Sequence, residues 1–112
     1  MELLETCHDT VKIVTVPESR IDAAAAIRFK DAMRAATAEG PDHVVLDLSN
    51  VAFVDSSGLG AIVAAMKQMG EGRRLDLAGL TPDVAKVFRL TRMDSVFVIH
   101  DRADGALSRA TG

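Results

Sequence analysis

Residues 43–48, His43-Val44-Val45-Leu46-Asp47-Leu48, form a nearly continuous apolar run. A strand of this composition has no face suited to water, so it belongs at the centre of a sheet that is covered on both sides. Coverage on both sides requires helices, and the flanking sequence supplies them. Before the run, Ala26, Phe29, Met33 and Ala36 recur at helical spacing behind Asp22, an N-cap residue type, and Gly40-Pro41 closes the segment. After it, Leu59, Ile62, Val63, Met66 and Met69 form a second stripe, which Gly70 and Gly72 stop.

The remaining segments extend the same alternation. Glu2 to Cys7 and Val11 to Val16 read as two strands joined by a turn at His8-Asp9-Thr10, and Pro17 to Arg20 reads as a loop. Arg74 to Ala78 is a further strand. Thr81-Pro82-Asp83 opens a helix with a capping hydroxyl, a proline at the first helical position and an acid at the positive helix end. That helix carries Val84, Val87, Phe88 and Leu90. Val96 to Ile99 reads as a short buried strand, and Asp101 as the cap of a last helix that runs through Leu107 and Ala110. Two strands followed by alternating helix and strand predict an α/β fold, with a mixed sheet of about five strands, parallel in its centre, and about four helices. At 112 residues, one domain over 1–112 accounts for the chain.

Composition narrows the function. Trp and Tyr are absent and only four Phe occur, so the stacking platforms of a single-strand nucleic-acid binder are missing. The net charge is −3 and no basic run marks a phosphate-backbone or anionic-membrane contact. Neither a signal-peptide pattern nor an apolar stretch of membrane-spanning length occurs. The single Cys7 fits a reducing compartment, as a small buried apolar residue or an inconsequential thiol. A cytoplasmic protein without nucleic-acid or membrane partners is the expectation. His8, His43 and His100 are far apart in sequence, with no ligand spacing, so neither a zinc site nor any other cofactor is expected. A Gly-rich phosphate loop and a G-x-S-x-G serine are also missing, which argues against enzymatic activity.

The segment Asp47 to Lys67, DLSNVAFVDSSGLGAIVAAMK, is the most informative. It reads as a buried strand, a connector over Ser49 to Val54, and a helix with a small, polar first turn. Asp55, Ser56 and Ser57 suffice to start a helix and to do nothing else. Equally, Ser56 or Ser57 would lie where free backbone N–H groups and the helix dipole tolerate a phosphate. Gly58 and Gly60 would leave the backbone uncovered for close approach by another protein.

The hexapeptide Asp55-Ser56-Ser57-Gly58-Leu59-Gly60, placed after an apolar strand and connector and opening a helix, resembles the signature of the STAS family, in particular its anti-sigma-factor antagonists. The order of elements is similar as well. The resemblance implies a non-enzymatic partner-switching protein that binds an anti-sigma factor serine kinase. The kinase phosphorylates Ser56, the modified form is released, and a separate serine phosphatase resets it. The implied contact residues are Asp22, Asp55, Ser56, Ser57, Gly58, Leu59 and Gly60. In the loop Pro17 to Asp22 the chain lacks the glycine that often precedes the acid opening the first helix, so Arg20 and Glu18 become candidate specificity contacts. Alternatives within the same family are a subunit of a lipid-transport ATPase complex and an adaptor in sensory or chemotaxis signalling.

Overall fold

A computed structural model describes the backbone of residues 1–111 and the side chains of residues 1–107. Strands β1 (Leu4–His8), β2 (Val11–Thr15), β4 (His43–Asp47), β6 (Arg74–Ala78) and β7 (Ile99–His100) form one sheet in that spatial order. The β1–β2 pair is antiparallel, and all later pairs are parallel. Strand β4 is central, and Val44, Val45 and Leu46 are inaccessible to solvent, as the unbroken apolar run requires. Helices α1 (Ala23–Thr37), α2 (Ser56–Met69) and α3 (Pro82–Leu90) lie over the larger core, built on Val14, Leu46, Leu77, Phe29, Ile62 and Phe88. Helix α4 (Ala103–Thr111) covers the smaller core of Val11, Ile13, Val45 and Ala78 on the opposite face. No helix among the described residues is long and apolar enough to cross a membrane.

Two segments expected to be irregular pair with each other. The end of the 17–20 loop and the end of the 49–54 connector form a parallel ribbon, β3 (Arg20–Ile21) and β5 (Phe53–Val54), with Arg20 opposite Phe53 and Ile21 opposite Val54. The ribbon follows the carboxyl ends of β2 and β4 and feeds directly into α1 and α2. Two helices therefore start side by side.

Other boundaries shift for identifiable reasons. The buried face of α2 is Gly58, Ala61, Ile62, Ala65 and Met69, while Leu59, Val63 and Met66 are only partly covered. Small residues in the middle of that face let α2 pack closely on α1. Leu90 is 71 % exposed, because α3 ends there and buries only Val84 and Phe88. Val96 and Val98 are likewise exposed, since a 3₁₀ turn over Met93–Ser95 occupies this region and the strand is limited to Ile99–His100. The Thr81 hydroxyl does not cap α3; it donates to the Val51 carbonyl, fastening the helix start to the β4–β5 connection. The last helix begins at Ala103, and the carbonyl of Arg102, one residue after Asp101, accepts its first bond from Ala106. Ala110 lies outside the described side chains. Helix α1 ends before Gly40 because two cations take its last carbonyls: Lys12 Nζ bonds Ala36 O at 2.8 Å and Arg73 Nη1 bonds Thr37 O at 2.7 Å. Cys7 lies exposed on the edge strand β1, not in the core.

The α4 face of β6 buries a charge. Asp76 receives a bidentate grip from Arg74, with both contacts at 2.8 Å, and Nε2 of both His43 and His100 at 2.9 Å. Burial by itself would raise the Asp76 pKa, but the bonds from Arg74, His100 and His43 outweigh it and bring it to about 2. An ionised carboxylate only accepts, so each imidazole carries its proton on Nε2. The two histidines, distant in sequence, thus meet at one oxygen, and among the described residues no group of three or more His, Cys, Asp or Glu side chains is arranged to hold a metal ion. A native pKa below the ordinary carboxylate value stabilises the fold above about pH 4, and that contribution fades as the pH falls from about 4 to about 2. In urea titrations, the stability gap between wild type and Asp76→Asn is predicted to narrow by about 2 kcal/mol between pH 5 and pH 2. A gap unchanged over this range would show that the cluster is not the source.

Candidate functional site

The two helix starts at the end of the β3–β5 ribbon gather most of the residues singled out in the sequence. Ile21 and Val54 point into the core, so their neighbours along each strand, Arg20, Asp22, Phe53 and Asp55, share the outer face of the ribbon. Asp22 caps α1, its Oδ1 accepting from Ala25 N at 3.2 Å. Asp55 caps α2, its Oδ1 accepting from Gly58 N at 2.9 Å. The second oxygen of Asp55 accepts from Ala23 N at 3.2 Å, at the first residue of the other helix. One carboxylate therefore satisfies orphan amides of both helices and holds their starts in a fixed relation. This cross-helix role has no local signature in the sequence.

Ser56 and Ser57 occupy the first two positions of α2 and are exposed, and neither hydroxyl is bonded to any of the described residues. Because Asp55 is the cap, Ser56 is free of capping duty. The hydroxyl stands on the surface, beside the positive end of the helix and next to a carboxylate already committed to backbone amides.

The glycines divide in role. Gly60 is exposed, with open space where a side chain would lie. Gly58 is buried, and a Cβ there would fall 1.8 Å from the Ile21 carbonyl oxygen. Its missing side chain serves the close approach of β3 to α2 within the molecule, which corrects the expectation of a backbone left uncovered for a partner. Leu59 is half-buried against the larger core.

Arg20 lies over the Phe53 ring, 4.3 Å from guanidinium carbon to ring centroid, and its Nε donates to Asp22 Oδ2 at 3.2 Å. That bond outweighs the opposing effect of burial and, with smaller help from the backbone amides of Ala25 and Ala24, holds the Asp22 carboxyl below its usual range. Phe53 remains 40 % exposed. Sequence reasoning missed Phe53, because an aromatic in a short connector reads as core until the ribbon turns it outward. Glu18, Ser19, Arg20, Asp22 and Arg28 border a shallow depression beside α1.

This arrangement offers an exposed hydroxyl and a rigid polar-aromatic surface, and its carboxylates are engaged in helix capping. The STAS domain family model matches residues 4–106, and the chain belongs to that family. The chain is 31% identical over 83 residues to a STAS-domain-containing protein of Pseudomonas aeruginosa, covering 73% of this chain and 81% of the relative. It is 29% identical over 100 residues to a Listeria monocytogenes protein named an anti-sigma-B factor antagonist, covering 88% of this chain and 86% of that one. The crystal structure of an anti-sigma factor antagonist from Mycobacterium paratuberculosis matches with a TM-score of 0.86 at 29% identity, over 99% of this chain and 94% of that one.

The two glycines give a sharp test of the geometry. Gly58→Ala is predicted to destabilise the fold by about 3 kcal/mol, since the new methyl meets backbone and not a movable side-chain tip. Gly60→Ala, exposed within the same helix, is predicted to stabilise it by about 0.5–1 kcal/mol. Chemical denaturation of both variants measures this directly, and equal effects would contradict the assigned contact.

Proposed function

We propose that this chain is an anti-sigma factor antagonist: a non-enzymatic cytoplasmic module, one STAS domain over 1–112, that docks an anti-sigma factor serine kinase on the paired starts of α1 and α2. Phosphorylation of Ser56 ends the contact and a serine phosphatase restores it. The observation that carries this reading is the position of Ser56, exposed, unbonded and free of capping duty directly after Asp55. Supporting it are the relatives named for antagonism of anti-sigma factors. The contact surface in this reading comprises Arg20, Asp22, Asp55, Ser56, Ser57 and Gly60, with Gly58 and Leu59 shaping it from beneath.

Charge accounts for the switch. A phosphate adds about −1.5 to −2 charge where a partner packs on a small neutral hydroxyl. Asp55 and Asp22 already make the face acidic, so a partner surface matched to the unmodified state meets repulsion and an uncompensated loss of solvation. Within the domain the same charge lies at a helix N-terminus, which favours anions. Binding is therefore expected to change far more than folding.

Affinity capture with Ser56→Ala and Ser56→Asp baits tests this. The Ser56→Ala bait is expected to retain a soluble serine kinase of the anti-sigma type, and Ser56→Asp to lose it while melting within about 1 kcal/mol of wild type. Ile62→Asp, which places a charge in the larger core, is the control for loss of binding through unfolding. With the retained kinase and ATP, wild type should gain one phosphate at Ser56. Labelling at Ser57, or labelling that persists in Ser56→Ala, overturns the site. Retention of a membrane ATPase or a chemosensory kinase instead overturns the antagonist assignment.

A further inference from the structure

The switch face holds a cation that neither helix capping nor core packing requires. Arg20 is exposed along 59% of its side chain and uses one of its donor groups, Nε, on Asp22. Among the described residues, neither terminal nitrogen of the guanidinium has a hydrogen-bond partner. The stack on Phe53 fixes the plane of the group, so the two free nitrogens form an oriented fork suited to a bidentate oxyanion.

Its placement relative to Ser56 follows from the ribbon. Arg20 is level with Phe53, and the bond from Ala23 N to Asp55 brings the start of α1 level with the start of α2. At about 3.3 Å per residue, Ser56 lies three positions, or about 10 Å of chain, beyond the level of Arg20. The guanidinium already points along this direction, since it reaches forward to Asp22. A phosphate on Ser56 extends back into the interval. Its dianion and three acceptor oxygens compete with a single carboxylate contact at an exposed site, where such ion pairs are weak. Asp22 does not need Arg20 to keep its place, because Ala25 N holds its other oxygen.

We infer that Arg20 is the internal receptor of the modified serine: phosphorylation at Ser56 draws its guanidinium off Asp22 and onto the phosphate. This rests on the reading of Ser56 as the modified residue, and it adds a second element to the switch. In the unmodified chain, Arg20 on Phe53 is a flat cationic feature that a partner can read. In the modified chain, that feature is withdrawn toward α2 as the negative charge appears, so the shape of the face and its charge change together. Arg28, which comes from a helix turn beyond the cap, is the other cation lining the depression beside α1.

The experiment installs phosphoserine at position 56 by genetic encoding, so it does not depend on any kinase. Phosphorus NMR titrations are recorded for this protein and for its Arg20→Gln and Arg28→Gln forms, with circular dichroism confirming that each is folded. The expected result is a phosphate titration midpoint about 0.5 pH unit lower with Arg20 present than in Arg20→Gln, because an adjacent guanidinium favours the dianion. Arg28→Gln should leave the midpoint unchanged, and the Arg20 Nε–H signal should move on going from serine to phosphoserine. Equal midpoints with and without Arg20, or a shift produced by Arg28→Gln instead, overturn the inference. Failure of the kinase to label Ser56 in the preceding experiment would remove the biological role and leave this titration unaffected.

Discussion

The Asp55 carboxylate does two jobs at once, and the geometry of the functional face depends on both. One oxygen starts α2 through Gly58 N, and the other holds Ala23 N at the start of α1. Beneath it, the Ile21 carbonyl lies where a side chain on Gly58 would stand, a close approach that only glycine permits. The polar bridge above and the close backbone contact below fix two helix starts and two short strands as one unit. The strands are only two residues each, and a ribbon of that length does not hold itself together in water. Its order is borrowed from Asp55, Gly58 and the burial of Ile21 and Val54.

Fixing the platform this way separates the switch from the fold. An acid that caps the helix cannot readily be modified without loss of stability. The residue after it carries no such burden, yet enjoys the same favourable helix end. Ser56 is therefore a position where a large charge can be added at small structural cost. The other charged assembly, Asp76 with Arg74, His43 and His100, lies on β6 beneath the opposite face and contributes to holding β4, β6 and β7 together.

The features readable in the sequence were those set by local chemistry. Asp22 and Asp55 were visible as caps, the 43–48 run as a central strand, and Ala26, Phe29, Met33 and Ala36 as the buried stripe of α1. Features set by distant partners were not. Arg20-Ile21 and Phe53-Val54 have no strand pattern of their own and pair because each completes the other. The buried face of α2 is legible only in part: Ile62 and Met69 lie on it, but Ala61 and Ala65, also buried there, are weak hydrophobic signals beside the partly covered Leu59, Val63 and Met66. His43 and His100 meet only when three parallel strands bring them to Asp76. The candidate serine was legible for the opposite reason: a cap followed by a small polar residue is a local statement, and its exposure follows from the helix start alone.

The claim at the centre of this account is that the serine sits on a platform whose rigidity it does not share in making. Native-state hydrogen exchange on the unmodified chain and on the chain carrying phosphoserine at position 56 tests it most directly. The amides of Ala25, Ala26, Gly58 and Ile62 should keep their protection within about threefold, with changes confined to residues around Ser56 and Arg20. A loss of protection that spreads through both α1 and α2 would mean that the modification acts by loosening the platform, and would contradict the account.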